Sequence, residues 1–197
     1  MVEDAMPRAG LTTDRVVRAA ADLADAEGFD AVTASAVARL FDVKAASLYS
    51  HVTGTDDLRT RVALLALEEL ADLAAAAVAG RADADALVAF ANVYRDYARS
   101  HPGRYDATRL RLDARTAAAS AGGRHAALTR AILRGYGLAG DHETHAVRLI
   151  GSVLHGYTSL ELAGGFDHSD PPGDQTWPWI LDGLDRMLRV WSDTGAS

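Results

Sequence analysis

The 197-residue chain contains no cysteine. Disulfide bonds, thiolate metal sites and cysteine nucleophiles are therefore excluded. It also lacks an uninterrupted apolar run of about 18 residues, so we expect no helix that spans a membrane. The first ten residues do not show the basic start and apolar stretch of a secretory signal. These absences lead us to expect a cytoplasmic protein.

Positive charge is scarce as well. The chain has 20 lysine and arginine residues against 27 aspartate and glutamate residues, a net charge of −7. An acidic protein is a poor general partner for nucleic acid, whose affinity comes largely from neutralised phosphates. Residues 31–55 differ from the rest, because they carry Arg39 and Lys44, the only lysine, against Asp42 alone. This locally non-acidic segment is a candidate contact surface for DNA.

The pattern of apolar residues indicates an all-α fold. Apolar residues recur at spacings of three and four, sustained alternation is missing, and the chain has only five prolines,. Pro102 and Gly103 are expected to end one helix. The predicted helices cover about residues 13–27, 34–40, 44–50, 56–79, 83–100, 105–112, 114–135 with a possible break at Gly122-Gly123, 141–163 and 177–191.

Residues 33–50 read as two short helices joined by a three-residue turn. We expect Val37, Leu40, Val43 and Leu48 to pack the pair against the first helix. The outward side chains would then be those of Lys44, Ala45, Ser47, Tyr49 and His51. This is the helix-turn-helix arrangement, in which the second helix enters the major groove of DNA. Spacing alone leaves open a helical protein that never contacts DNA.

The segment 11–60 resembles the N-terminal domain of the TetR (tetracycline repressor) family of transcriptional regulators. Two positions depart from the family pattern. Asp42 stands where glycine is usual, and aspartate tolerates the left-handed backbone of such a turn. Thr55 stands where lysine is common, which removes a phosphate contact. The resemblance is carried by the alanine-rich first helix that ends in Glu27-Gly28-Phe29, by Val32-Thr33, by Ala38, Leu40 and Val43, and by Ser47-Leu48-Tyr49-Ser50-His51-Val52.

The resemblance implies a helix-turn-helix DNA-binding domain at residues 1–55 and a helical effector-binding and dimerisation domain at 56–197. It implies a repressor that a small organic effector releases from a palindromic double-stranded DNA operator. Arg39, Lys44 and Arg8 are the main cations, so we expect roughly two to four phosphate charges per subunit and a shallow salt dependence. The predicted DNA-binding residues are Thr33, Ser35, Arg39, Lys44, Ala45, Ala46, Ser47, Tyr49, His51 and Thr55.

The second half is expected to hold the effector and to form a homodimer through its last two long helices. His155-Gly156 resembles the signature of a C-terminal domain in one TetR subgroup, although the tryptophan that usually precedes it is missing. An aromatic stripe at helical spacing is also compatible with ordinary core. The predicted effector residues are Phe90, Tyr94, Tyr97, Tyr105, His125, Leu128, Leu154, His155 and Tyr157. The predicted dimer residues are Ile150, Val153, Leu160, Trp177, Leu181, Leu184, Leu188 and Trp191.

Enzymatic activity has little support in the sequence. His142 and His145, with Glu143 between them, could chelate a metal from one helix face, but no third ligand accompanies them and structural sites normally need four. The chain has no phosphate-binding glycine loop and no nucleophile motif. We therefore expect no metal, no cofactor and no catalysis. The alternative is a helical small-molecule-binding protein or enzyme that keeps the fold without operator binding.

Overall fold

A computed structural model describes residues 11–194, with side chains through Trp191. All regular secondary structure in this part of the chain is helical, as predicted, and none of its helices is long and apolar enough to cross a membrane. The α-helices are α1 Thr13–Glu27, α2 Ala34–Leu40, α3 Thr55–Val78, α4 Asp83–Ser100, α5 Pro102–Ala107, α6 Ala114–Ala119, α7 Gly122–Gly135, α8 Gly140–Leu162 and α9 Gly173–Thr194, and two 3₁₀ helices cover Phe29–Ala31 and Ala45–Ser50.

Local sequence signals fix the ends of the first helices. The side chain of Thr12 accepts a hydrogen bond from the main-chain N–H of Arg15 and so caps α1,. Gly28 ends α1 with φ = 90°, a conformation that glycine adopts at little cost,. Asp42 has φ = 51° in the turn after α2, so the turn keeps its left-handed residue without glycine,.

Two predicted helices have wrong boundaries. Helix α4 ends at Ser100, as predicted, but Pro102 also begins α5, because the first position of a helix does not need the N–H that proline lacks,. The helix in this region is Pro102–Ala107 instead of 105–112. Helix α9 begins at Gly173, four residues before its predicted start, so that Pro178 lies in its second turn and not at its first positions.

The buried apolar residues form two clusters, and α3 contributes to both. The N-terminal core includes Val16, Val37 and Leu48, together with Leu58 and Val62 from the first turns of α3. The C-terminal core begins at Leu70 of α3 and continues through the faces of α4, α5, α7, α8 and α9. Helix α5 also reaches both, with Ala107 in the first cluster and Tyr105 in the second. A displacement of α3 or α5 would therefore change the packing of both cores.

Candidate functional site

Residues 44–51, here called the recognition segment, contribute one fully buried side chain to the N-terminal core, and Ala45 packs against that core as well. Leu48 is fully buried in the N-terminal core, and Val52 lies beside it just after the segment. Lys44 precedes the 3₁₀ helix Ala45–Ser50, and its carbonyl accepts from the N–H of Ser47 at 2.9 Å. The segment is thus a short helix anchored along one edge.

The other side chains of the segment face outward or lie at its margin. Tyr49 is 58% exposed, Lys44, Ala46 and Ser47 are exposed, and Ala45 and His51 are half-buried. On α2, Ser35 and Arg39 are exposed and Thr33 is half-buried. Leu40 was expected to pack inside but is 56% exposed, because α2 ends there and its apolar face is already filled by Val37 and Ala38.

Few cations are available to this surface. Arg18 is paired with Asp14 at 3.0 Å, and Arg61 with Asp57 at 2.9 Å. Arg59 is paired with Asp30 at 2.7 Å and lies over the ring of Phe29. Arg39 and Lys44 form no ion pair with any described residue. Arg8, the third predicted cation, lies outside the described residues.

Two of the predicted DNA-binding threonines are engaged by α2. The hydroxyl oxygen of Thr33 accepts from the N–H of Ala36 at 3.0 Å, which caps the helix locally. The hydroxyl oxygen of Thr55, the first residue of α3, accepts from the N–H of Ala34 at 3.2 Å. Both side chains therefore hold the N-terminus of α2 in the free protein.

Five predicted effector residues meet inside the C-terminal core. We call Phe90, Tyr94, Tyr105, His125 and His155 the tyrosine–histidine cluster. The Tyr94 hydroxyl lies 2.5 Å from Nδ1 of His125, and the Tyr105 hydroxyl lies 2.7 Å from Nδ1 of His155. The Tyr94 ring also contacts Phe90, with ring centroids 4.7 Å apart, and His155, with centroids 6.2 Å apart. The two hydrogen-bonded pairs are therefore contiguous.

The cluster is neutral at ordinary pH. Burial lowers the pKa of both His125 and His155, since it disfavours the charged imidazolium,. Burial also raises the pKa of the Tyr105 hydroxyl to about 12. Nε2 of His125 lies 2.9 Å from the main-chain oxygen of Leu67 on α3. A carbonyl only accepts, so Nε2 carries the proton, and Nδ1 accepts from Tyr94.

The remaining predicted effector residues lie elsewhere in the core or at its margin. Leu154 is buried in the C-terminal core, and Leu128 is partly buried and packs against that core. The Tyr97 hydroxyl donates to Glu69 at 2.9 Å. The Tyr157 hydroxyl donates to the main-chain oxygen of Gly173, and its ring contacts Phe166 and Trp177. Tyr97 and Tyr157 are therefore committed to neighbours outside the tyrosine–histidine cluster.

The sequence analysis missed the junction between α1 and α5. Added to Gly103, a Cβ would overlap the main-chain oxygen of Ala24, so the two helices touch through their backbones. Asp25 accepts from the N–H of Arg104 at 2.9 Å and lies 2.9 Å from Nδ1 of His101. The Arg104 side chain also pairs with Asp22 on α1 and with Glu69 on α3. No local motif marks these residues, because the contacts join positions far apart in sequence.

Arg95 was also missed, although its position gave a signal. It lies on the apolar face of α4, between the buried Tyr94 and Ala98, where a charge is unusual,. Its guanidinium pairs with Glu161 of α8 and Asp174 of α9. It also lies over the ring of Trp177, 5.4 Å from the centroid. Arg95 thus joins three helices at one end of the C-terminal core.

A cleft of about 350 Å³ opens on the outer side of Tyr105. Its walls come from the end of α1 with Phe29, from α5, and from Ser159 and Leu162 of α8. Arg109 lines it and donates to Ser159 at 3.2 Å. The volume lies within the range of small-molecule sites, which begins at about 300 Å³.

Five of the eight predicted dimer residues face the chain's own core. Ile150, Trp177, Leu181, Leu184 and Leu188 are at most 4% exposed. Their assignment to a dimer interface was wrong, because they have almost no surface left for a partner. Val153 and Trp191 are half-buried, and Leu160 is 54% exposed.

The outward faces of the last two long helices carry a different apolar set. Trp179 is 79% exposed, and Met187 and Val190 follow on the same side of α9. On α8, Leu160 follows Gly156 and Ser152 at a spacing of four, and both of these small residues are exposed. Trp179, Met187 and Val190 together leave a sizeable apolar area of α9 exposed to solvent.

Within residues 11–194, no group of three or more histidine, aspartate or glutamate side chains is arranged to hold a metal ion. His142 and His145 are exposed near the start of α8.

Comparison with known proteins decides the family. Residues 87–184 match the family described as "Tetracyclin repressor-like, C-terminal domain". The uncharacterized HTH-type transcriptional regulator Rv0681 of Mycobacterium tuberculosis is 38% identical over 166 residues, which cover 82% of this chain and 75% of that protein. The uncharacterized HTH-type transcriptional regulator YobS of Bacillus subtilis is 34% identical over 94% of this chain and 93% of that protein.

The chain belongs to the TetR family of helix-turn-helix transcriptional regulators. It is therefore a DNA-binding regulator, and the family is not one of enzymes. Solved TetR-like structures share the fold. BioQ with its double-stranded DNA operator is 20% identical over 92% of this chain and 99% of that chain, with a TM-score of 0.67. Streptomyces coelicolor ActR in complex with (S)-DNPA is 20% identical over 93% of this chain and 100% of that chain, with a TM-score of 0.64.

Proposed function

We propose that this TetR-family protein is a cytoplasmic homodimeric repressor that leaves a palindromic operator when a small organic effector enters its C-terminal core. The observation that carries the proposal is the pair of hydrogen bonds made by His125. They join Tyr94 of the tyrosine–histidine cluster to the backbone of Leu67 in α3, the helix that continues into the N-terminal core. A molecule that displaces either bond changes what holds α3.

The chemistry of the cluster favours an uncharged aromatic effector. Its two histidines are neutral, its tyrosines are protonated, and their rings offer flat surfaces for stacking,. The nearby charges of Arg95 and Arg104 are already paired with carboxylates. Burying an unpaired charge in such a site is costly. The cleft is lined by one member of the cluster, Tyr105, and so lies next to it.

The DNA contact is proposed for the recognition segment. Tyr49, Ser47 and Lys44 are presented outward on a helix whose inner edge is fixed by Leu48. Exposed Ser35, Arg39 and Leu40 on α2 adjoin it. Structural relatives supply a parallel, since BioQ is solved with its operator and ActR with a small ligand.

The dimer is proposed to form through the outward faces of α8 and α9. Trp179, Met187 and Val190 would pack on the partner, and Ser152 and Gly156 would let the helices approach closely. Trp179→Glu should convert the dimer to monomers in sedimentation velocity. Leu73→Glu is the matched control, because Leu73 is 49% exposed on α3, away from this face. A dimer that survives Trp179→Glu and dissociates with Leu73→Glu would place the interface elsewhere.

The division into a DNA-binding domain at 1–55 and an effector-binding domain at 56–197 remains part of the proposal. The boundary falls at the start of α3, whose first turns still pack on the N-terminal core. We also propose the subgroup with the His-Gly signature. His155-Gly156 lies inside the matched residues 87–184, and His155 is bonded to Tyr105 in the C-terminal core.

The test begins with the DNA itself. Sites that the unaltered protein enriches from a random-sequence pool are used to measure dissociation constants by fluorescence anisotropy. Tyr49→Ala and Lys44→Ala should each weaken binding at least about fivefold, since a good side-chain contact to DNA contributes roughly 1–3 kcal/mol. Arg81→Ala, which removes an exposed charge far from the segment, should have little effect. Failure to enrich any sequence would favour a binding protein that keeps the fold without an operator.

The second test addresses the effector. Uncharged aromatic compounds are screened for a rise in melting temperature, and hits are titrated with and without the enriched DNA. An effector and the DNA must weaken each other's binding by the same factor, because the coupling free energy is reciprocal. A hit that binds the cluster and leaves DNA affinity unchanged would contradict release by effector.

A further inference from the structure

Thr55 connects two helices that the sequence separates. It is the first residue of α3, and its hydroxyl oxygen accepts from the main-chain N–H of Ala34, 21 residues earlier. Ala34 is the first residue of α2 and is 4% exposed. Its N–H belongs to the first turn of the helix, where intrahelical partners are lacking. Thr55 therefore satisfies a donor that water reaches poorly.

Helix α2 depends on such contacts because it is short. It has seven residues, and helices of this length are not stable on their own,. Thr33 caps the N–H of Ala36 from within the same segment. Thr55 supplies the cap that comes from outside it and so ties α2 to α3.

The recognition segment in turn rests on α2. The N–H of Val43, in the turn, donates to the carbonyl of Ala38 at 3.1 Å, and that of Phe41 donates to the same carbonyl at 3.2 Å. The placement of α2 thus determines where the segment begins. Contacts run from Thr55 to Ala34, along α2 to Ala38, and on to Val43.

We propose that Thr55 is a positioning residue for DNA recognition, which holds α2 and the recognition segment in place relative to α3 and does not act as a DNA contact. The role requires a hydroxyl oxygen that accepts a hydrogen bond. Valine has the same shape without the acceptor, and serine keeps the acceptor. These two substitutions therefore separate the hydrogen bond from the packing.

The first measurement is amide hydrogen exchange in the protein without DNA. Thr55→Val should accelerate exchange of the Ala34 amide, and also of the His51 amide, which donates to Leu48 at 2.8 Å in the recognition segment. Thr55→Ser should restore the exchange of the unaltered protein. Thr60→Val is the control, since Thr60 is half-buried five residues further along α3. Unchanged exchange of Ala34 in Thr55→Val would overturn the proposal.

The second measurement is affinity for DNA that the unaltered protein enriches from a random pool. Thr55→Val should raise the dissociation constant about tenfold, because DNA binding must then restore the position of α2 at a cost of the order of one lost hydrogen bond. Thr55→Ser and Thr60→Val should stay within about twofold. Weakened DNA binding with an Ala34 amide that remains protected would make Thr55 a direct DNA contact. Unchanged DNA binding together with faster exchange at Ala34 would also overturn the positioning role.

Discussion

Asp25, near the end of α1, accepts a hydrogen bond from the main-chain N–H of Arg104 in the first turn of α5, at 2.9 Å. The bond joins the N-terminal core to a helix whose next residue, Tyr105, lies in the C-terminal core. A carboxylate at this place both satisfies a free N–H of α5 and pairs with the Arg104 guanidinium,. Helix α5 therefore docks on α1 through specific polar contacts as well as through Gly103.

Asp25→Ala should lower the free energy of unfolding by about 1–3 kcal/mol, because it leaves the main-chain N–H of Arg104 without its acceptor and removes one of the three carboxylates around the guanidinium,. Urea denaturation followed by circular dichroism measures the change. Asp22→Ala is the control, since Asp22 pairs with Arg104 from an exposed position, and such pairs contribute at most about 1 kcal/mol,. Equal losses for the two variants would contradict the importance assigned to the bond with Arg104.

His125→Phe should destabilise the protein by about 1–3 kcal/mol, since the buried Tyr94 hydroxyl loses its acceptor,. Tyr94→Phe combined with His125→Phe should cost less than the sum of the two single changes, because the double variant leaves no orphaned hydroxyl. Urea unfolding of the four proteins measures this coupling. If the two changes in unfolding free energy simply add, the hydrogen bond between Tyr94 and His125 contributes nothing to stability,.

The same histidine predicts a pH dependence. Burial lowers the pKa of His125 in the folded protein, whereas in the unfolded chain this pKa is about 6.5,. At a pH just below 6.5 the unfolded chain therefore binds more protons than the folded protein does,. Stability contributed by the neutral imidazole is therefore present above pH 6.5 and is lost as the pH falls below it. The difference in unfolding free energy between the unaltered protein and His125→Phe should shrink from pH 8 to pH 5.5. A constant difference across this range would contradict the assignment.

Asp42→Gly should preserve or slightly raise stability, whereas Asp42→Ala should lower it by about 1 kcal/mol. The reason is the positive φ of 51°, which glycine adopts freely, aspartate tolerates and alanine resists,. Thermal unfolding of the three proteins tests the order. A variant with alanine as stable as the one with glycine would show that the backbone conformation at this turn carries no such cost.

The salt dependence of DNA binding should be shallow. Arg39 and Lys44 of the helix-turn-helix form no ion pair with a described carboxylate. We therefore expect binding to neutralise roughly two to four phosphate charges per subunit. Lys44→Ala should reduce the slope of log K against log salt by roughly 0.9 per subunit. Arg81→Ala should leave the slope unchanged. A slope that corresponds to many more charges would show that paired arginines such as Arg59 open to contact phosphate.

Much of the fold could be predicted from residues whose effect on the backbone is local. Thr12, Thr33 and Gly28 mark helix ends by their own hydrogen bonds and backbone preferences, so α1 and α2 were placed to the residue. Periodicity located α4 equally well. The start of α5 at Pro102 was missed because proline is compatible both with the end of one helix and with the start of the next,.

The candidate sites were predicted less completely, for a physical reason. Apolar periodicity shows that a helix has a buried face but not whether its own chain or a partner covers it. Leu181 and Leu188 were therefore assigned to the dimer when they fill the core, while the exposed Trp179 was passed over. Tertiary contacts such as those of Thr55 and Arg104 have no local signature.

The most direct test of the account is the distance between the two recognition segments in the DNA-bound dimer. The chain has no cysteine, so Thr53→Cys, at an exposed position just after the segment, gives one spin label per subunit. Double electron–electron resonance should show a single narrow distance between about 25 and 45 Å, around the 34–36 Å that separates successive major-groove faces. Labels that show no dipolar coupling, or a distance far outside that window, would contradict paired presentation of residues 44–51 to DNA.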